Sequence, residues 1–159
     1  MKPATISQLK QELKNRSSDE LLKLCLDLTK YKKENKELLS YLLFEESDEQ
    51  TYIKDLKTEI DEDFKLINRK TPYLAKKSVR KILRNIKKHI RYSRKKETEV
   101  ELMMYFCSKL KQTFPNFRKN TVLLNIYDRQ LVAVKKTIAS LHEDLQYDYE
   151  NEIKDLEEK

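Results

Sequence analysis

The 159-residue sequence predicts an all-α protein, and three features of the chain indicate this fold class. Apolar residues recur with helical spacing from end to end, and nowhere do four or more residues alternate as a half-buried strand would. Helix-start signals occur wherever the apolar spacing is interrupted. The chain contains no glycine. Because P-loops, dinucleotide-binding turns, nucleophile elbows and EF-hand loops all need glycine, its absence excludes them.

Start signals divide the chain into about seven helices. Four of them have the spacing of a capping box, in which Ser or Thr precedes Glu or Gln by three residues: Thr5 with Gln8, Ser17 with Glu20, Ser47 with Gln50 and Thr98 with Glu101. A fifth has Thr71 as the cap and Pro72 at the first helical position, and Pro115 separates two further helices. The predicted helices span 5–15, 18–32, 34–45, 48–69, 72–96, 98–113 and 120–156, and the last is bent or divided near Ser140.

The apolar stripes of three helices predict which residues lie in the core. They are Ile53, Leu56, Ile60, Phe64 and Ile67; Val79, Leu83, Ile86 and Ile90; and Val100, Met103, Cys107 and Leu110. Short connections favour antiparallel hairpins, so we expect one domain over 1–159, built as a bundle or a short HEAT-like array. Its C-terminal helix, 143–159, is acidic. Without glycine, the predicted helix-end residues are Asn68, Asn116 and Asn120.

Composition also bounds the class of protein. Cys25 and Cys107 lie at apolar helical positions, where a thiol behaves as a small buried hydrophobe, and we expect both to be free. No apolar run is long enough to cross a bilayer, and a Lys-rich chain without a signal peptide fits the cytoplasm. His142 has no Glu-x-x-His pair or Cys and His cluster around it, so we predict no metal and no cofactor.

One basic segment points to a partner. Residues 64–96 hold fourteen Lys or Arg and no Asp or Glu, in a chain whose net charge is only +7. On a helical wheel, Ala75, Val79, Ile82, Leu83, Ile86 and Ile90 share the arc that faces the core. The adjoining arc carries the predicted binding residues Lys77, Arg80, Lys81, Arg84, Lys87, Lys88 and Arg91. We therefore expect a binding module that holds RNA or DNA electrostatically. Tyr73 and Tyr92 flank the basic face as candidates to stack on unpaired bases, although tyrosines at helix ends are more often half-buried packing residues with a solvated hydroxyl.

A second hypothesis is a protein-interaction scaffold. Residues 45–63 contain nine acids and two lysines, and residues 143–159 contain eight acids and two lysines. Packed beside the basic helix, these segments would neutralise it, while an exposed basic helix would also suit an acidic protein. A stripe along the C-terminal helix has coiled-coil-like spacing and predicts a homodimer. It consists of Ile138, Leu141, Leu145, Tyr149, Ile153 and Leu156.

The segment from Arg84 to His89 resembles the motif of HEPN ribonucleases. That resemblance implies a dimer in which His89 acts on the RNA 2′-hydroxyl or leaving group while Arg84 stabilises phosphate charge. On an ideal helix the two side chains point about 140° apart. With no nucleophile and base at catalytic spacing elsewhere, the sequence favours a non-enzymatic module.

Two further resemblances concern other parts of the chain. Ile6, Leu9 and Leu13 followed by Ser18-Asp19-Glu20-Leu21 resemble the two-helix SAP module of DNA-binding proteins, although the glycine of that module's turn is missing. The segments 31–39 (YKKENKELL) and 141–149 (LHEDLQYDY) are similar to an uncharacterised family of small helical bacterial proteins. This likeness implies a bacterial, cytoplasmic protein and assigns no activity.

Overall fold

The computed structural model describes residues 1–157, and every regular element in that range is helical. The eight α-helices are α1 (Ile6–Lys14), α2 (Ser18–Tyr31), α3 (Lys33–Ser40), α4 (Glu49–Lys65), α5 (Pro72–Ser93), α6 (Lys96–Thr113), α7 (Thr121–Ile138) and α8 (Glu143–Glu157). A π-helical segment, Tyr41–Glu45, follows α3, and a 3₁₀ turn, Phe117–Lys119, precedes α7. The predicted all-α class is confirmed. Within 1–157 no helix combines the length and the apolar character that crossing a bilayer requires.

The chain divides into two compact units, Met1–Phe44 (unit 1) and Glu45–Lys159 (unit 2). The single domain expected over 1–159 stays a prediction. The acidic C-terminal helix begins at Glu143 as predicted, and its expected last two residues lie outside the described range. The predicted helix 120–156 is in fact α7 and α8, separated close to Ser140, which brings the described helices to eight.

Unit 1 begins with two helices whose starts are fixed locally. The capping box of α1 is confirmed, since Thr5 Oγ1 accepts from the Gln8 N–H and Gln8 Oε1 accepts from the Thr5 N–H. Ser17 and Glu20 form the same pair of bonds at α2, and the bonds that the Glu20 carboxylate accepts from the Ser17 N–H and hydroxyl lower the pKa of Glu20. Local bonds therefore specify both helix starts without any tertiary contact.

Unit 1 lacks a core of its own in these helices, since no residue of α1, α2 or α3 is buried. Besides Met1, eleven large apolar residues of the unit are exposed: Ile6, Leu9, Leu13, Leu22, Leu24, Leu26, Leu28, Tyr31, Leu42, Leu43 and Phe44. Cys25 is exposed as well, which corrects the expectation that its thiol is buried. In the described part of unit 2, the only large apolar residues that are exposed are Leu66, Tyr73, Val132 and Tyr147.

The core of unit 2 surrounds α6. This helix contacts α4, α5, α7 and α8, and its apolar side chains without exposed area are Val100, Leu102, Phe106, Cys107 and Leu110. The predicted α6 stripe is buried, but so are residues on the other sides of the helix. The α4 stripe is buried throughout as predicted. On α5, Val79 and Ile86 are buried, whereas Leu83 and Ile90 are only half-buried.

Three helix starts in unit 2 test the capping predictions. Thr71 caps α5 by accepting from the Leu74 N–H, with Pro72 first in the helix, as predicted. The predicted box at Ser47 is wrong, because the neighbouring Asp48 caps α4. The box at Thr98 is also wrong, since α6 begins at Lys96 and the Thr98 hydroxyl bonds to another helix.

Two of the asparagines that were predicted to end helices have other roles in the structure. Asn120 caps the start of α7, accepting from two backbone N–H groups, and Asn68 accepts from the Lys70 N–H in the loop before α5. Among the described residues the left-handed backbone conformation occurs at Arg94 alone, with φ 59°. Arg94 therefore makes the reversal between α5 and α6 that glycine often makes.

The half-buried carboxylate of Glu49 ties this reversal to the start of α4. Glu49 Oε1 accepts from Ser93 Oγ and from Thr98 Oγ1, both at 2.5 Å, and Lys95 Nζ lies 2.9 Å from Glu49 Oε2. Ser93 and Thr98 are both buried. Since buried hydroxyls need partners, one side chain satisfies both and fixes the α5–α6 corner against α4.

We expect Glu49→Ala to lower the free energy of unfolding by about 2 to 3 kcal/mol, because two buried hydroxyls lose their acceptor. Denaturant unfolding followed by circular dichroism measures the change. The control is Glu62→Ala on the same helix, which removes only an exposed pair with Lys65 and should cost much less. Equal losses in the two variants would contradict this account of Glu49.

Candidate functional site

Helix α5 presents most of its cations to solvent. Ala75, Val79, Ile82 and Ile86 point into unit 2, so the opposite arc faces outward. We call its six exposed cations the basic face: Lys77, Arg80, Lys81, Arg84, Lys87 and Arg91. The seventh predicted residue, Lys88, is half-buried and interacts with another group of the chain. Six of the seven predicted residues therefore form one accessible surface.

Three side chains of the segment 45–63, Glu49, Lys57 and Asp61, form ion pairs with partners outside this surface. Asp61 Oδ1 lies 2.8 Å from Lys109 Nζ of α6, and Glu101 of α6 lies 2.8 Å from Lys57 Nζ. Glu49 pairs with Lys95 beyond the end of α5. As far as the described residues go, no cation of the basic face has an ion pair or a side-chain hydrogen bond.

Asp61 illustrates how the α4 acids are engaged. It accepts from Tyr105 Oη at 2.8 Å and pairs with Lys109. Burial acts to raise the pKa of Asp61, but the hydrogen bonds from Lys109 and Tyr105 outweigh it and the pKa is lowered. The same contact raises the pKa of Lys109. Both groups are thus held in their charged forms by α4–α6 contacts.

The acids of α8 border a different feature. A cleft of about 560 Å³ lies between α4, α6 and α8, and its lining includes Glu101, Asp148, Glu152 and Asp155. Burial raises the pKa of Tyr149 in this cleft to about 12, and the neighbouring carboxylates, Glu101 first, add to the effect. The outermost described residue of α8, Glu157, pairs with Lys135 of α7.

The C-terminal stripe is partly inside unit 2. Ile138, Ile153 and Leu156 are buried, while Leu141, Leu145 and Tyr149 are half-buried. Helix α8 contacts α6 and α7, and the Tyr127 hydroxyl donates to the Leu156 carbonyl at 2.6 Å. Half of the stripe expected at a dimer seam is therefore covered for as long as α8 stays packed.

Helix α5 has a third face, which lies between the core arc and the basic face and includes His89 and Tyr92, and this face packs against α4. Tyr52 Oη lies 2.9 Å from His89 Nδ1, and the His89 ring meets Tyr92 edge to face with centroids 5.5 Å apart. Tyr92 is only 8% exposed, so it packs inside unit 2 and does not stack on bases. Tyr73 is 65% exposed. Its spacing of seven and eleven residues from Arg80 and Arg84 places it on the same arc of the helix, beside the basic face as predicted.

The pair from the HEPN resemblance does not meet within one chain. His89 is half-buried against Tyr52, whereas Arg84 is exposed on the basic face. His142 is exposed and lies 3.5 Å from Asp144. Over residues 1–157, no group of three or more His, Cys, Asp or Glu side chains is placed to hold a metal ion.

Amine labelling should separate open from engaged lysines. Lys81 and Lys87 are exposed without an ion pair in the described chain, whereas the contact with Asp61 raises the pKa of Lys109 and leaves less free amine. We expect an amine-reactive ester to modify Lys81 and Lys87 faster than Lys109, as measured by peptide mass spectrometry. Equal rates would contradict an open basic face.

Asp61→Asn should lower stability at neutral pH. The folded-state pKa of Asp61 is below its ordinary value of 3.8, so its contribution is present above that value and disappears as the pH falls through the folded-state pKa. We expect the variant and the wild type to converge in acid, as measured by unfolding at several pH values. Asp63→Asn, which removes no ion pair in the described chain, is the control and should cost much less stability at neutral pH.

Comparisons with known proteins add no relative. The chain matches no family model, no curated protein and no solved structure. Membership in a family of small helical bacterial proteins stays a prediction, as do the resemblances to the SAP module and the HEPN motif. The functional conclusion therefore rests on the charge and the geometry of the basic face.

Proposed function

We propose that the protein is a non-enzymatic module that binds the phosphate backbone of RNA or DNA through the basic face of α5. The observation that carries this proposal is the set of six exposed cations on one arc, none paired within the described chain. From Lys77 to Arg91 the arc runs about 21 Å at 1.5 Å per residue. A surface of this length spans several phosphates.

The cations are costly to the free protein. Within the basic face, six pairs of like charges stand three or four residues apart, for example Lys77 with Lys81 and Arg80 with Arg84. Each such pair destabilises a helix by about 0.2 to 0.5 kcal/mol, which amounts to about 1 to 3 kcal/mol in total. A bound polyanion relieves this repulsion, so the arrangement favours a strongly negative partner.

Charge spacing favours nucleic acid over an acidic protein. Duplex nucleic acid presents about one charge per 1.7 Å of its axis, so cations repeating at every helical turn find phosphates wherever they lie. Three of the six residues are arginines, which bind phosphate with two hydrogen bonds at once. Contacts from these cations reach phosphates, and phosphate contacts alone carry no sequence information. Binding is therefore sequence-independent and weakens with salt.

The test compares two variants with the same change in net charge. One carries Arg80→Glu, Arg84→Glu and Lys87→Glu; the control carries Lys119→Glu, Arg129→Glu and Lys136→Glu, at exposed positions elsewhere in unit 2. Binding of labelled single-stranded and duplex RNA and DNA is measured by fluorescence anisotropy over a range of salt concentrations. Circular dichroism checks that helicity is retained.

We expect the α5 variant to lose at least about 100-fold in affinity and its salt slope to fall by roughly 2 to 3, about 0.9 for each phosphate contact removed. The control should keep most of its affinity. No binding by the wild type at low salt, or equal losses in the two variants, would refute the proposal and direct the search to an acidic protein.

A further inference from the structure

Helix α2 in unit 1 is apolar over more than half of its circumference. The residues responsible are Leu21, Leu22, Leu24, Leu26, Leu28 and Tyr31, which together cover about 220° at 100° per residue. No residue of this helix is buried. A helix that is apolar on so many sides normally lies inside a core or an interface. Something outside unit 1's own three helices must cover it.

The exposed apolar area of unit 1, summed over α1, α2 and residues 42–44, is as large as one side of a protein interface. The eleven exposed apolar residues of unit 1 are 43% to 81% exposed. A large apolar side chain worth up to about 3 kcal/mol at 25 cal/mol per Å² corresponds to roughly 120 Å², so at these exposures the set amounts to on the order of 700 Å². Stable interfaces bury roughly 600 to 1,000 Å² on each partner.

We propose that unit 1 is a dimerisation surface, covered by unit 1 of a second copy of this chain. Leu21, Leu24, Leu28 and Tyr31 have the a and d spacing of a helix seam over two heptads. Two α2 helices packed antiparallel about a two-fold axis bury these residues against their own counterparts. This interface differs from the C-terminal stripe and does not depend on the proposed nucleic-acid binding.

Charge favours a second copy over a partner of one sign. Unit 1 holds nine Lys or Arg and six Asp or Glu, interspersed along the chain. Several of them are paired locally, as in Arg16 with Glu20 at 3.2 Å, Lys30 with Asp27 and Lys33 with Glu37. A surface with mixed and satisfied charge selects neither a basic nor an acidic partner. Two-fold association requires such a self-complementary patch.

The two-fold geometry places Cys25 where chemical cross-linking can detect the dimer. The four seam residues, from Leu21 to Tyr31, are centred on Leu26, next to Cys25. In an antiparallel pair centred there, the two Cys25 residues lie on the same side of the seam and are offset by about 3 Å along the helix axis, so their thiols come close together. Cys25 is exposed whereas Cys107 is buried, and burial raises the pKa of the Cys107 thiol to about 12. A thiol-reactive cross-linker therefore reacts with Cys25 in preference to Cys107.

The mass of the full chain in solution tests the proposal. We expect the wild type to show twice the 19.2-kDa chain mass at micromolar concentration in light scattering. Leu24→Glu with Leu28→Glu should give a single chain, while the control, Leu66→Glu with Val132→Glu on exposed apolar residues of unit 2, should stay dimeric. A wild type of single-chain mass, or an α2 variant that remains dimeric, would overturn the proposal.

Cross-linking of the wild type keeps the test decisive if the α2 variant fails to fold. A short bismaleimide should yield a covalent dimer on a denaturing gel, and Cys25→Ser should abolish it. Absence of that product from the wild type would overturn the antiparallel pairing at Cys25. Persistence of the product in Cys25→Ser would do so too, because Cys107 would then be the residue joined.

Discussion

Unit 2 depends on the enclosure of α6. Val100, Leu102, Phe106, Cys107 and Leu110 have no exposed area, because α4, α5, α7 and α8 all contact this helix. Each surrounding helix must therefore turn its apolar side inward and its remaining side outward. For α5, whose outward residues are Lys and Arg, this requirement alone creates a basic surface. The site is a consequence of how the core is closed.

The same enclosure determines where the negative charge goes. One half-buried edge of α6 carries Glu101, Tyr105 and Lys109, and these side chains bond to Lys57 and Asp61 of α4. Acids of α8 border the cleft with α4 and α6. Within the acidic segment 45–63, Asp61 thus pairs with α6, while Glu49 and Glu62 pair with Lys95 and Lys65 at the two ends of the basic segment 64–96. Net charge along the chain is a poor guide to which charges neutralise each other.

Sequence patterns predicted what depends on a single helix. The helical period, the α4 stripe, the caps at Thr5, Ser17 and Thr71 and the arc of cations on α5 follow from local spacing, and the structure has them. Sequence patterns gave wrong predictions where the role of a residue depends on contacts with another helix. Thr98 has cap spacing but bonds to Glu49, and Arg94 takes the left-handed turn because the α5–α6 corner must close there. The sequence did not predict the exposure of α2 either, because a leucine-rich helix is normally buried.

The two units expose chemically different surfaces, which are charged in unit 2 and apolar in unit 1. On α5 the basic face holds unneutralised charge, whose attraction to phosphates falls as counterions screen it. On α2 the exposed area is apolar, and burying it is not weakened by moderate salt. Dimerisation through unit 1 would join two basic faces in one particle, which raises the effective concentration of the second face once the first is bound. Salt would then release the nucleic acid while the dimer persists, so the two associations are separable by physical chemistry as well as by their position in the chain.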